Sequence, residues 1–254
     1  MKKHLLVMFL VAATLGMHQS IANAQTSSVT STNLTPPPPK YPWVSSAAVG
    51  LTLTRGNSDT LLLTASVGTQ RKTPDNEYIF GADGSYGKND GVKNSETLHG
   101  IAQYNRLFSD RFYGYIHFEG LHDGIADLKY RFTLSPGAGY YFIKETSTSL
   151  AGEVGPAIVI QRLGGNDDTY ATLRLAERFE HKFNDRARMW QSVEFLPQVD
   201  RTYNYLVNAE IGLEASITKR LSLRTVLQDN YVNVPAAGRK SNDVKLISGL
   251  AYKF

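Results

Sequence analysis

The sequence has no cysteine, which excludes disulfide bonds and excludes a lipid anchor on an N-terminal cysteine. An excess of one charge is also missing: 27 Lys and Arg are dispersed among 23 Asp and Glu, and the formal charge is +4. Because no polybasic block is present, we predict that nucleic acid is not a partner. The stability of the protein must come from packing and hydrogen bonding.

Motifs of the common enzyme classes are missing as well. There is no P-loop, no nucleophile elbow, no HExxH sequence and no dinucleotide-binding fingerprint. We therefore predict a protein that is not an enzyme and that holds no cofactor and no metal. His117 and Glu119 stand two residues apart, and metal binding or acid–base chemistry there is the alternative to a hydrated polar network. Gly56–Asp59 and Gly164–Thr169 are interpreted as polar loops rather than as Ca²⁺ sites.

Long apolar runs are scarce, and the main one lies near the start of the chain. Residues 5–16 are apolar, follow Lys2 and Lys3, and precede an A-x-A-like sequence. This order is typical of a secretory signal, and the run is shorter than the roughly 18 residues of a membrane helix. We predict a signal peptide over residues 1–24, cleaved between Ala24 and Gln25. An uncleaved N-terminal anchor is the alternative.

Residues 25–42 contain four consecutive prolines among small polar residues. Such a composition favours an extended polyproline II tether without a packed core. We predict a disordered N-terminal tether, and the alternative is a spacer that docks a periplasmic partner.

From Trp43 to the C terminus, apolar and polar residues alternate with a period of two, which is typical of strands with two unlike faces. About twelve such strands follow one another, and short polar turns alternate with longer loops for most of the chain. We therefore predict an all-β, transmembrane, antiparallel up-and-down β-barrel over residues 43–254. A soluble periplasmic β-sandwich is the alternative. An even number of strands would place both chain ends in the periplasm.

The two faces differ as expected for a barrel in lipid, with apolar residues outside and Gly, Ser, Thr and mixed charges inside. Aromatic residues gather towards the strand ends, where they favour the membrane interface. The final strand carries Tyr252 and ends at Phe254, and we predict that these two residues form the signal presented to the barrel-assembly machinery. Outer-membrane lipid and that machinery are the predicted partners, in the outer membrane of a Gram-negative cell.

The predicted inner face carries charges of both signs in similar numbers. We expect cross-strand ion pairs that partly fill a narrow lumen. The predicted lumen-lining residues are Asp83, His117, Glu119, Arg131, Glu153, Arg174, Arg178, Glu180, Glu194, Glu210, Glu214, Arg224 and Lys245.

Two charged residues do not fit the alternation. Glu177 falls on the lipid face in mid-strand, and a β-bulge near Ala176 would resolve this. Arg106 also faces lipid, but close to the predicted periplasmic end, where its side chain can reach the interface.

The sequence GLTLTRGNSDT at Gly50–Thr60, the Gly-Ala-Gly-Tyr sequence at Gly137–Tyr140 and the final strand ending in Phe carry a family resemblance. The chain resembles, from about Trp43 to Phe254, the salt-induced outer membrane protein family, a family of unknown function. The resemblance implies an outer-membrane barrel and brings no catalytic residues.

The favoured function is a narrow channel or passive conduit for ions or small solutes. One alternative is a plugged structural or binding protein of the outer membrane, linked to envelope or salt stress. Another is an outer-membrane lipid hydrolase, for which His181 is the histidine on the lipid face and for which no serine stands obviously opposite.

Overall fold

The computed structural model describes residues 40–54 and 60–254, without the side chains of residues 52–54 and 60. The predicted signal peptide, with its cleavage site between Ala24 and Gln25, lies outside the described residues. So do most of the predicted tether and the turn at residues 55–59, which includes the Gly56–Asp59 sequence.

The described residues form twelve antiparallel strands, as the alternation of apolar and polar residues predicts. No helix among the described residues has the length and apolar character that crossing a membrane requires. The strands are β1 (Val44–Thr54), β2 (Thr60–Lys72), β3 (Asn76–Asn89), β4 (Val92–Leu107), β5 (Phe112–Asp123), β6 (Leu128–Lys144), β7 (Thr148–Leu163), β8 (Asn166–Asn184), β9 (Ala187–Pro197), β10 (Tyr205–Ser216), β11 (Leu221–Val232) and β12 (Asn242–Lys253).

The sheet closes on itself. Each strand pairs with its neighbours in sequence, and β1 pairs with β12, with Ser46 opposite Lys253 and Val49 opposite Leu250. Closure leaves no unpaired sheet edge. The predicted barrel is therefore confirmed, and the alternative of a β-sandwich is wrong.

Burial alternates along the strands in step with residue type. On β7, Glu153 is 5% exposed whereas Val154 is 48% exposed, and the same alternation continues to Ile160. Large apolar side chains such as Phe118 and Leu134 are exposed on the outside of the barrel. The barrel thus has an apolar outer face and a polar inner face.

The connections at one end of the barrel are short throughout, whereas those at the other end vary. The sequence predicts long loops around residues 88–96 and 163–169, but both are two-residue turns on extended hairpins. Asp90 and Gly91 have φ of 48° and 80°, and Gly164 and Gly165 have φ of 57° and 79°. Consecutive positive φ angles match the twist of paired strands, so Asp-Gly and Gly-Gly let the ladders continue.

The β-bulge expected near Ala176 is absent, and that prediction is wrong. The pairing of β7 with β8 runs without a shift from Thr148 opposite His181 to Leu163 opposite Asn166. Glu177 therefore remains on the outer face, where Gln191 Nε2 on β9 donates a hydrogen bond of 3.4 Å to its carboxylate. A neighbouring outer-face amide, rather than a change of register, accommodates this charge.

Arg106 lies at the end of the barrel with the short turns. Its Nη1 donates a 3.1 Å hydrogen bond to Asn76 Oδ1 and lies 3.9 Å from a carboxylate oxygen of Asp75, beside the β2–β3 turn. Both Arg106 and Asp75 are exposed, so the guanidinium stands at the rim of the barrel rather than in mid-strand.

Candidate functional site in the barrel interior

The barrel interior has two unlike sides. Along β4 to β9, large polar and aromatic side chains fill the space between the walls. Along β1 to β3, small inner residues leave a cavity of about 250 Å³ that extends to the inner side chains of β10 to β12. We call these the filled side and the open side. The polar residues that line the cavity include Asp83, His99, Glu210, Arg224, Gln228 and Lys245.

Glu153 of β7 is the centre of the filled side. Arg174 Nη1 lies 2.8 Å from one of its carboxylate oxygens, and Arg178 Nη2 lies 2.5 Å from the other. Gln103 Nε2 and the Tyr113 hydroxyl donate further hydrogen bonds of 2.8 and 2.9 Å. Because four donors from three strands converge on one carboxylate, its burial is compensated by a fully connected network.

Buried tyrosines pack within the filled side. Tyr113 is fully buried, its ring lies 5.1 Å from that of Tyr141, and the Tyr141 hydroxyl donates a 2.7 Å hydrogen bond to Glu77. A Cβ atom at Gly139 would overlap the Tyr113 ring. The Gly-Ala-Gly-Tyr sequence therefore leaves room on β6 for an aromatic ring from β5.

Two sets of histidine contacts lie between the two sides. His99 Nδ1 lies 2.9 Å from Asp83 Oδ1, and its Nε2 lies 2.9 Å from Glu119 Oε1. His117 Nδ1 lies 3.0 Å from Gln103 Oε1, and the Gln103 amide nitrogen donates to Glu153. The two sets are adjacent, because ligand atoms of His117 and Glu119 lie within 4.8 Å of each other.

Glu194 of β9 joins this network from the opposite wall. Its carboxylate accepts hydrogen bonds from Arg174 Nε and, at 3.1 Å, from Asn208 Nδ2. Arg174 therefore links Glu194 to Glu153. Its guanidinium also lies over the ring of Tyr115, 5.2 Å from the centroid. Within the described part of the chain, His117, Glu119 and Glu194 are the group of three side chains that could hold a metal ion.

A second charged group lies near the end with the short turns. Glu214 of β10 is buried and accepts from Lys253 at 2.8 Å, Arg224 at 2.9 Å and Arg188 at 3.0 Å. Arg188 also lies 3.3 Å from Glu180. Three cations therefore surround the Glu214 carboxylate, and Glu180 is attached to the group through Arg188. Together these side chains narrow the lumen at this end.

Contacts at the opposite end cross the barrel. Lys245 of β12 lies 3.7 Å from Asp123 of β5 and 3.4 Å from Asp243, although four strands separate β12 from β5 around the sheet. Ala236, in the connection between β11 and β12, is buried beside Gly164 of the β7–β8 turn. The mouth of the barrel is therefore partly covered.

The structure places the remaining predicted interior residues as follows. Arg131 is buried and its Nε donates a 2.8 Å hydrogen bond to Gln161. Glu210 accepts from Trp190 Nε1 at 2.6 Å and from Gln228 Nε2 at 2.9 Å, beside the cavity. Both Tyr252 and Phe254 are exposed on the outer face, and the Phe254 amide donates to Ser45 O at 3.1 Å. Their role in assembly remains a prediction.

Several contributors to the site are absent from the predicted set. His99 and Gln103 lie on β4, where the alternation is weak because Tyr104 and Arg106 stand on the outer face. His99 and Gln103 are four residues apart and therefore lie on the same face of the strand. This spacing is the feature of the sequence that could have identified them as a pair. The alternation places Tyr113 and Trp190 on the polar face, and Tyr141 has the parity of Gly139. None of the three is in the predicted lumen-lining set, because aromatic residues are usual on the lipid side of a barrel.

His181, the candidate base of a lipid hydrolase, lies on the outer face near the short turns. Its Nδ1 lies 2.9 Å from the Thr148 hydroxyl, and its ring contacts Phe179 and Phe183. The hydroxyl opposite the histidine thus belongs to a threonine. Among the described residues, no carboxylate or amide orients the imidazole as a catalytic triad requires.

Comparison with known proteins identifies a family and a fold. The profile of the family described as "Protein of unknown function, DUF481" matches residues 47–254. A search of curated proteins finds no match. The NanC porin structure is similar with a TM-score of 0.50 and 7% identity, covering 83% of this chain and all of the porin. At that identity the likeness is one of fold.

Two further barrels align over most of the chain. KdgM porin gives a TM-score of 0.44 at 12% identity, covering 84% of this chain and 99% of the porin. The translocator domain of the autotransporter NalP from Neisseria meningitidis gives a TM-score of 0.44 at 15% identity. The alignment covers 84% of this chain and 87% of the translocator domain.

Proposed function

The chain belongs to the DUF481 family, and we propose that it forms a narrow passive conduit for ions or small polar solutes in the outer membrane. The observation that carries the proposal is the open side of the lumen. A cavity of about 250 Å³ lies within a closed barrel, and charged side chains of both signs line it.

Placement in a membrane is supported by the outer face. A closed barrel satisfies every backbone group internally, which is the condition for strands in hydrocarbon. The outer face exposes residues such as Val49, Leu51, Ile116, Phe118 and Leu246, a distribution expected when lipid replaces water. The signal peptide predicted over residues 1–24 would bring the chain across the inner membrane.

Selectivity is expected to be weak. The cavity wall carries the carboxylates Asp83 and Glu210 and the cations Arg224 and Lys245, so the two signs are balanced. A wall of mixed sign offers hydrogen-bonding partners to small polar solutes without excluding either cations or anions strongly. The charges near both ends limit the width of the path and favour small permeants.

A plugged binding or structural protein, with a role in envelope or salt stress, is the second candidate. The fully connected contacts of Glu153 and the coverage of the mouth by the connection around Ala236 favour it. The resemblance to the salt-induced outer membrane protein family is the reason for including salt stress in this alternative.

Planar-bilayer recordings separate the two candidates. The full chain, purified from the outer-membrane fraction of expressing cells, is reconstituted after its fold has been checked by faster gel migration without heating. Discrete current steps are expected. Silence from folded, inserted protein would contradict the conduit and favour the plugged barrel. Release of the chain from membranes by salt washing would contradict the membrane placement itself.

A further inference from the structure

Three side chains from two separated strands converge in the lumen: His117, Glu119 and Glu194. His117 and Glu119 stand two residues apart on β5 and therefore face the same side of the strand. Glu194 comes from β9, and three strands lie between β5 and β9 around the sheet. The candidate ligand atoms of the three residues all lie within 4.8 Å of one another.

The orientation of His117 is set by Gln103. The Gln103 amide nitrogen donates to Glu153 at 2.8 Å and to Asn105 Oδ1 at 2.9 Å, so its oxygen must face the imidazole. His117 Nδ1 lies 3.0 Å from that oxygen, which can only accept a hydrogen bond. Nδ1 therefore carries a proton, and in the neutral imidazole the lone pair is on Nε2.

Because Nδ1 contacts Gln103, Nε2 is the ring nitrogen available to a ligand shared with Glu119 and Glu194. Glu119 accepts a hydrogen bond from His99, and Glu194 accepts from Arg174 and Asn208, so donors of their own orient both carboxylates. A cation bound between a lone pair and two carboxylate oxygens would be held by three acceptors. The hydrogen bond from Nδ1–H to an amide oxygen is the outer contact that metal-binding histidines commonly make.

The charges around the three side chains are compatible with a bound cation. Both ring nitrogens of His99 lie 2.9 Å from carboxylate oxygens, those of Asp83 and Glu119, so both donate and this ring is cationic. Glu153 and Glu194 are paired with the guanidiniums of Arg174 and Arg178. These four carboxylates and three cations leave a net charge of 3 − 4 = −1, which a cation would offset.

We propose that His117 Nε2, Glu119 and Glu194 bind one divalent transition-metal ion, with Zn²⁺ as the best fit. One imidazole and two carboxylates leave a fourth position open, as in Zn²⁺ sites that exchange a ligand. Ca²⁺ fits less well because it takes six to eight oxygen ligands. The site has a path of access, because His99, which contacts Glu119, lines the cavity of the open side.

Zn²⁺ titration of the folded full chain in detergent, after removal of metal with a chelator, tests the proposal. About one Zn²⁺ per chain is expected to bind, followed by calorimetry and by metal analysis after dialysis. His117→Ala should abolish this binding. Gln103→Leu, which removes the acceptor for Nδ1, should weaken it by about 10–100-fold. Co²⁺ added in place of Zn²⁺ should give visible absorption typical of a tetrahedral site.

His122→Ala is the matched control, because His122 Nδ1 contacts the backbone oxygen of Lys129 and lies outside the group. This variant should bind Zn²⁺ as the wild type does. Folding is checked by gel migration without heating, and if His117→Ala does not fold, Glu194→Gln takes its place. Failure of the wild type to retain Zn²⁺, or equal binding by the folded ligand variant, would overturn the proposal. The titration measures metal binding and not ion current, so its result does not depend on whether the barrel conducts.

Discussion

The filled side and the open side of the lumen are built on one sheet with one alternation, yet one is packed and the other holds a cavity. On β5 the inner positions carry Tyr113, Tyr115 and His117, whereas β2 carries Thr64 and Ser66 at inner positions. Strand number and pairing are shared by both sides, so they do not decide whether space remains inside. The volume of the inner side chains decides it.

The largest expected effect is a loss of unfolding free energy when Glu153, at the centre of the filled side, is replaced. In Glu153→Ala, the Arg178 guanidinium loses its carboxylate partner and Arg174 loses one of two. Removing one member of a buried ion pair costs about 3–5 kcal/mol. Urea unfolding of the folded barrel in lipid vesicles, followed by tryptophan fluorescence, measures the loss.

Glu180→Ala is the matched control for Glu153→Ala. Glu180 is partly exposed and makes a single 3.3 Å contact with Arg188, so its loss should cost less than about 1 kcal/mol. Equal costs at the two positions would show that the contacts of Glu153 contribute no more than an exposed pair.

A pair of glycines compares the two sides directly. Gly139→Ala places a methyl group against the buried Tyr113 ring, and overpacking of this kind costs about 1–3 kcal/mol. At Gly68, on β2, an added Cβ meets only the Phe80 carbonyl oxygen at 3.7 Å, an ordinary contact. Gly68→Ala should therefore unfold at nearly the wild-type urea concentration. Similar losses for both variants would contradict the difference in packing.

Closing the open side should remove the current. Ser66→Trp fills part of the cavity lined by β1 to β3, and the single-channel conductance is expected to fall by about tenfold or more because the indole would occupy the proposed path. Val67→Trp is the control, since Val67 is exposed on the outer face of the same strand. Unchanged conductance in Ser66→Trp would place the permeation path elsewhere.

Much of this architecture follows from the sequence alone. The period of two predicts the strands, their faces and the closure of β12 on β1, because a closed sheet is what allows such strands in lipid. Inner charges such as Glu153 and Arg174 are identified by parity. Their partners are not, because parity specifies a face and gives no information on contacts between strands that are distant around the barrel.

The errors have physical causes as well. Glu177 on the outer face favoured a bulge, but a neighbouring Gln191 accommodates the charge in register. The sequence predicted long loops around residues 90–91 and 164–165, because the strand residues on both sides of these two-residue turns are polar. The alternation places Tyr113 on the inner face but does not predict its burial, because that burial depends on Gly139 on the neighbouring strand.

The smallest expected effect is on ion selectivity at Glu210, which lies on the open side beside Trp190 and Gln228. Glu210→Lys replaces a negative by a positive charge at the cavity wall. A unit charge about 10 Å from an ion contributes ~0.4 kcal/mol in water before screening. Charge reversal counts twice for the cation and twice for the anion, and screening over about one Debye length at 0.1 M salt leaves ~0.6 kcal/mol. The ratio of anion to cation permeability should therefore rise about threefold at 0.1 M salt and less at high salt. Reversal potentials in a KCl gradient measure this ratio. Glu145→Lys, in the exposed β6–β7 turn, is the control and should leave the ratio unchanged. If both variants shift the ratio equally, the surface charge at the mouth governs selectivity, and the two sides of the lumen do not differ in their contact with the permeating ion.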